Sequence, residues 1–214
     1  MNQIEHVQDA KAELSDCLKA SMEDRSIFDP ITHQYLSDVI GKYVKWQEGS
    51  LIPSIHTRDT EPFVFQLNKV NTKYAFEPNR RYKRMKKIGE TLLFAVGYWT
   101  ESISSVRAGD KVIKARPNLL YYAKNGMSAY HSVSIAAHVD KTLTEDVEAL
   151  MEEMAQRFTR YASAIHGLRQ DLGGNRLDDI TILLELTKLI GDDALKAFTL
   201  EQQLLYNGAG QTKN

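Results

Sequence analysis

Apolar residues recur at intervals of three and four along most of the chain, and no stretch alternates with period two for long enough to make a central strand. Residues 2–22 place Ile4, Val7, Leu14, Cys17 and Leu18 on one helical face. Asp29-Pro30 announces the next helix, with an Asp cap and a Pro in the first turn. Tyr35, Leu36, Val39, Ile40, Tyr43 and Val44 carry it to about Trp46, and Gly49-Ser50 stops it. Leu51–Asp59 reads as a loop, and Thr60-Glu61-Pro62 opens a shorter helix through Phe63, Val64, Leu67 and Val70.

Glu77-Pro78-Asn79 ends that element. A long helix is predicted over 80–103, where Tyr82, Met85, Ile88, Leu92, Val96, Trp99 and Ile103 advance without a slip. A seam this regular needs a second helix to cover it. Gly89 and Gly97 each cost about 1 kcal/mol inside a helix relative to Ala, so a neighbouring backbone is expected close to them. Ser104–Arg116 breaks the rhythm, with a turn at Ala108-Gly109-Asp110 and a brief extended piece at Lys111–Ala115.

Pro117 starts a helix over 117–138, faced by Leu120, Met127, Tyr130, Val133 and Ala137. Thr142 and Glu145 fit a capping box. From there Val147, Leu150, Met154, Phe158, Tyr161, Ile165 and Leu168 make one long stripe that stops at Asp171–Asn175. Two further helices, 177–190 and 193–206, precede a polar, frayed tail at 207–214. The expectation is an all-α fold: a single-domain helical bundle of seven or eight helices over residues 1–206.

Composition narrows the function classes. The chain has 214 residues, is 43% hydrophobic and carries a formal net charge of −1, so global charge gives no argument for nucleic acid or for an anionic membrane. A single cysteine, Cys17, rules out an intrachain disulfide or a cysteine-based zinc site, and its place on an apolar face reads as core. The N-terminus has no secretory pattern, and the longest apolar stretch, Thr91–Trp99, falls short of the ~20 residues of a membrane span. A cytoplasmic protein without membrane contact is expected.

Metal and nucleophile chemistry find little support. None of the six histidines follows a carboxylate by three residues, the spacing that di-iron bundles use. His131 and His138 share a helix face but stand roughly 10 Å apart along its axis, too far for one zinc with ~2 Å bonds. No Gly-x-Ser-x-Gly, Cys–His pair or phosphate-binding glycine loop occurs. No catalytic residue, metal or cofactor is assigned.

Two constellations remain. Arg80, Arg81, Lys83, Arg84, Lys86 and Lys87 crowd eight residues around Tyr82 and Met85. Cations at a helix start oppose the helix dipole, which favours a purpose: contact with an anion or a partner. Tyr98, Trp99, Arg107, Tyr122, Tyr130 and His131 are candidates to line a central pocket, because buried Tyr and Trp carry a polar end that wants a partner.

The order of pieces also resembles a family of uncharacterised all-helical bacterial proteins of about this length. The resemblance rests on Gly89-Glu-Thr-Leu-Leu-Phe-Ala-Val-Gly97-Tyr-Trp-Thr-Glu-Ser102 and on Tyr121-Tyr-Ala-Lys-Asn-Gly126-Met-Ser-Ala-Tyr130. These are similar to a Gly-Asp-x-x-Leu-Phe-x-x-Gly-Phe-Phe-x-x-Ser block and a Tyr-Tyr-x-x-x-Gly-x-x-Ala-Tyr block. Here Glu90 stands for Asp, and Tyr98-Trp99 for two Phe. The resemblance implies a helical intracellular protein and brings no catalytic residue.

The first functional expectation is a non-enzymatic interaction or regulatory module that binds a protein partner or itself. The alternatives are a small-molecule binder or enzyme using the aromatic pocket, and nucleic-acid binding through 80–87.

Overall fold

The computed structural model describes residues 3–47, 50–54, 66–67, 69–100, 119–139 and 144–171. All of them lie in the compact unit Met1–Leu177. The predicted helices at 177–190 and 193–206, the tail at 207–214, Arg107, the break at 104–116 and the residues Thr142 and Phe63 fall outside the described residues.

The fold is all-α with one small hairpin. Helix α1 is Gln3–Glu23 and α2 is Pro30–Tyr43; the hairpin strands are β1 Val44–Gln47 and β2 Ser50–Pro53. Helical residues 69–73 lead into α3, Pro78–Tyr98. Then follow α4 Leu119–Val139, α5 Glu145–Gln156 and α6 Phe158–Asp171.

Local chemistry sets the ends. Asp29 caps α2 by accepting the Thr32 N–H at 2.7 Å, and those hydrogen bonds hold its carboxyl below the usual range. α1 ends in a Schellman turn: Ile27 N–H reaches the Met22 carbonyl and Ser26 N–H the Glu23 carbonyl, with Ser26 left-handed at φ 56°.

α3 and α4 form the centre, and α6 packs on α3 while α5 packs on α4. From Ile88 to Tyr98 every residue of α3 is buried, whereas Arg80, Lys83, Arg84 and Lys87 are exposed. One helix thus has a charged first half in solvent and a second half enclosed on all sides. The close approaches match the small residues. A Cβ on Gly126 of α4 would lie 2.3 Å from the Phe158 ring and 3.3 Å from Leu92 Cβ of α3. A Cβ on Gly89 would meet the Tyr130 ring at 3.1 Å. Gly97 does face a backbone, but that of α6: its Cβ would sit 2.7 Å from the Ala162 carbonyl oxygen.

Four predicted boundaries are corrected. The second helix stops at Tyr43, and Val44–Gln47 pairs antiparallel with Ser50–Pro53, Trp46 opposite Leu51. The helical period of 35–44 runs up to the strand without a gap, and four-residue strands are too short to register as alternation. The stripe from Val147 to Leu168 is two helices: Arg157, at φ −111° and ψ 22°, closes α5 on Glu153 and its carbonyl opens α6 by accepting from Tyr161 N–H. The capping box gives way to Thr144 as N-cap, without a side-chain bond, and Glu145 begins the helix. The long helix ends at Tyr98, short of 103, where α6 meets its last turn: the Arg169 guanidinium donates to the Tyr98 carbonyl at 2.6 Å.

Candidate functional site

Lys83, Lys86, Lys87 and Glu90 stand at i, i+3, i+4 and i+7, so one face of α3 carries three ammonium groups and a carboxylate. α2 lies alongside and brings Lys42 and Tyr43 from its last turn. With Tyr82, these seven residues line a solvent-open cleft of about 470 Å³.

Glu90 forms its floor. Its side chain is 6% exposed, and it accepts from Lys42 Nζ at 2.8 and 2.9 Å through its two oxygens. Lys86 Nζ lies 4.0 Å from the same carboxylate and 5.3 Å above the Tyr35 ring. A buried carboxylate is tolerated when cations and hydrogen bonds replace its water, and Glu90 has both.

The polar chain continues into the core. The Tyr35 hydroxyl is 3.2 Å from Glu90 Oε1 and 3.2 Å from the Tyr130 hydroxyl. A carboxylate only accepts, so the single Tyr35 hydrogen goes to Glu90 and the hydroxyl accepts from Tyr130. Burial, reinforced by Tyr130 and Glu90, pushes the Tyr35 hydroxyl well above the usual tyrosine range. Burial does the same to Tyr130, so both remain neutral donors. Tyr82 and Tyr43 are raised too, again chiefly by burial, and Tyr43 pairs with Thr91 Oγ1 at 2.8 Å.

The predicted basic run divides between uses. Lys83, Lys86 and Lys87 line the cleft; Arg80 and Arg84 are exposed beside it, Arg80 paired with Glu77 at 2.8 Å; Arg81 is half-buried.

Of the predicted aromatic residues, Tyr98, Trp99 and Tyr130 pack with other rings. Tyr98 stacks on Phe94 at 5.1 Å, and Trp99 meets Phe94 edge-on at 5.4 Å. Tyr130 is fully buried between Tyr35 and Phe158, and Tyr122 is buried as well. His131 faces α5, its Nδ1 3.0 Å from Glu152 Oε2, and that hydrogen bond holds the Glu152 carboxyl below the usual range. His138 makes a parallel contact with Glu148 at 3.0 Å. Cys17 is half-buried on α1.

Lys42, Tyr35, Tyr43, Tyr82 and Glu90 are absent from the sequence-derived site. Glu90 had a visible signal, being the one charged residue in the apolar stretch Ile88–Thr100. Lys42 had none, because its relation to α3 exists only in three dimensions.

Among the described residues, no group of three or more His, Cys, Asp or Glu could hold a metal ion, and no helix is long and apolar enough to cross a membrane. Comparison with protein-family models, with curated proteins and with solved structures finds no match for this chain.

Proposed function

We propose that this chain is a non-enzymatic helical interaction module that binds an acidic protein partner through the basic first half of α3. The observation that carries this reading is the meeting of Lys42 from α2 with Lys83, Lys86 and Lys87 of α3 around one open cleft, with Arg80 and Arg84 exposed beside it. The cations are held outward by a scaffold whose next three turns are buried, so little ordering is needed on binding. Opposite charge across an interface steers encounter and selects partners.

The compactness of the patch favours an acidic protein over nucleic acid. Nucleic-acid binders carry a basic stripe that tracks many phosphates, whereas the cations around this cleft fall within a few turns of α2 and α3, on a chain whose net charge is −1. The Glu90–Tyr35–Tyr130 chain is satisfied by its own members and by Lys42, which suits a structural anchor for the cleft.

The test is capture of a partner from lysate by the full chain and by an Arg80→Glu/Arg84→Glu variant. Both positions are exposed, so the variant disturbs no buried side chain and loses only the surface Arg80–Glu77 pair. Capture should fall as salt rises and vanish in the variant. Equal capture by both proteins would overturn the reading.

A further inference from the structure

Beyond a general preference for acidic surfaces, the cleft has the features of a site for one compact, doubly charged anion. Among the described residues, four lysines and one carboxylate line it, and that carboxylate is already engaged by Lys42 and Lys86. The Lys42 ammonium has three hydrogens, of which two go to Glu90 Oε1 and Oε2, leaving one directed elsewhere. Lys86 is fixed by Glu90 at 4.0 Å and by the Tyr35 ring. Glu90 therefore holds one cation on each wall, while Lys83 and Lys87 stand exposed on the helix face above it.

The charge of the site selects among anions. Among the described residues no arginine lines the cleft, although Arg80, Arg81 and Arg84 are near in sequence. Arginine's planar fork binds carboxylates and phosphates alike, whereas lysines act as point charges that suit the oxygens of a tetrahedral anion approached from several directions. A monoanionic carboxylate would leave the site strongly positive; a dianion comes close to balancing it. The volume of about 470 Å³ holds a tetrahedral group with a small organic substituent, and Tyr43 and Tyr82 supply wall area for that substituent.

We propose that the α2–α3 cleft binds the phosphate of a phosphomonoester, with Lys42, Lys83, Lys86 and Lys87 around its oxygens and Tyr82 beside the ester group. This rests on the binding-module reading and specifies the chemistry of what is bound. The phosphate comes either from a phosphorylated side chain of the partner or from a free small monoester.

The experiment is calorimetric titration of the full chain with inorganic phosphate, phenyl phosphate, a phosphoserine peptide, acetate and a single-stranded oligonucleotide. Lys83→Ala/Lys87→Ala serves as the control, since both side chains are exposed and their loss leaves the Lys42–Glu90 pair intact. Support is saturable one-to-one binding of phosphate and phenyl phosphate, weakened about tenfold in the variant, with acetate weaker by a similar factor. Within that outcome, tighter binding of the peptide than of phenyl phosphate identifies a partner chain as the source, and equal binding identifies a free monoester.

No saturable phosphate binding, equal binding by the variant, acetate as strong as phosphate, or tighter binding of the oligonucleotide would overturn the proposal. If phosphate fails while capture still depends on Arg80 and Arg84, the phosphate proposal falls and the module reading stands. If the Arg80 and Arg84 variant captures normally, the broader reading falls by itself.

Discussion

Gly97 and Gly126 decide how near the helices of this fold can come. At Gly97 an added methyl would meet the backbone of α6, which cannot swing aside, and at Gly126 it would enter the volume of the buried Phe158 ring. Overpacking of this kind costs about 1–3 kcal/mol, so Gly97→Ala and Gly126→Ala should each lower the urea midpoint accordingly. Gly41 is the contrast. It lies exposed in α2 with nothing within 4 Å of the place a methyl would occupy, and Gly41→Ala should stabilise by about 0.5–1 kcal/mol through helix propensity alone. At this scale the sequence identified Gly89 and Gly97 by their cost inside a long helix. It did not reveal which neighbour approached each one: Gly97 serves α6, and Gly89 receives a ring where a backbone was expected.

Between elements, the contact of α4 with α5 is partly electrostatic. His131 and His138 reach Glu152 and Glu148 from α4, and the His131 hydrogen bond lowers the Glu152 carboxyl from its usual 4.5. A carboxyl lowered in the folded state adds stability above its unfolded pKa, and that stability is lost as pH falls through the lower folded value. Glu152→Gln should therefore cost about 0.5–1 kcal/mol at neutral pH, a modest figure because the pair is partly exposed, and should flatten the loss of stability below pH ~4.5. Thermal melts of both proteins across the acid range would check this. The same scale explains the misplaced boundaries. Val44–Gln47 leaves the helix because a partner strand four residues long lies alongside, and Arg157 breaks a continuous stripe because α6 must turn Phe158 onto Gly126. Neither event changes the local period of apolar residues.

Over the whole molecule, tyrosines from three helices share one response to alkali. Tyr35 of α2, Tyr130 of α4 and Tyr161 of α6 all lie above the usual tyrosine range, chiefly through burial, with Tyr161 also donating to Glu153 at 2.7 Å. The folded chain keeps protons that the unfolded chain releases above pH ~10, so stability is full below that value and falls as pH rises past it. Each such tyrosine contributes a slope of about 1.4 kcal/mol per pH unit. Tyr161→Phe should make the fall in the unfolding free energy from urea titrations above pH ~10 shallower by that amount, and an unchanged slope would contradict the assignment.

The helical class, the seams of α3 and α4, the small residues between them and the density of cations at 80–87 were all legible in the residues alone, because each depends on spacing along a single helix. Bringing Lys42 over Glu90, seating Tyr35 between Glu90 and Tyr130, and setting Tyr98, Trp99 and Tyr130 against other rings required the fold. Those relations join residues about 50 or 95 positions apart, and only the packing of one helix against another brings them within hydrogen-bonding reach.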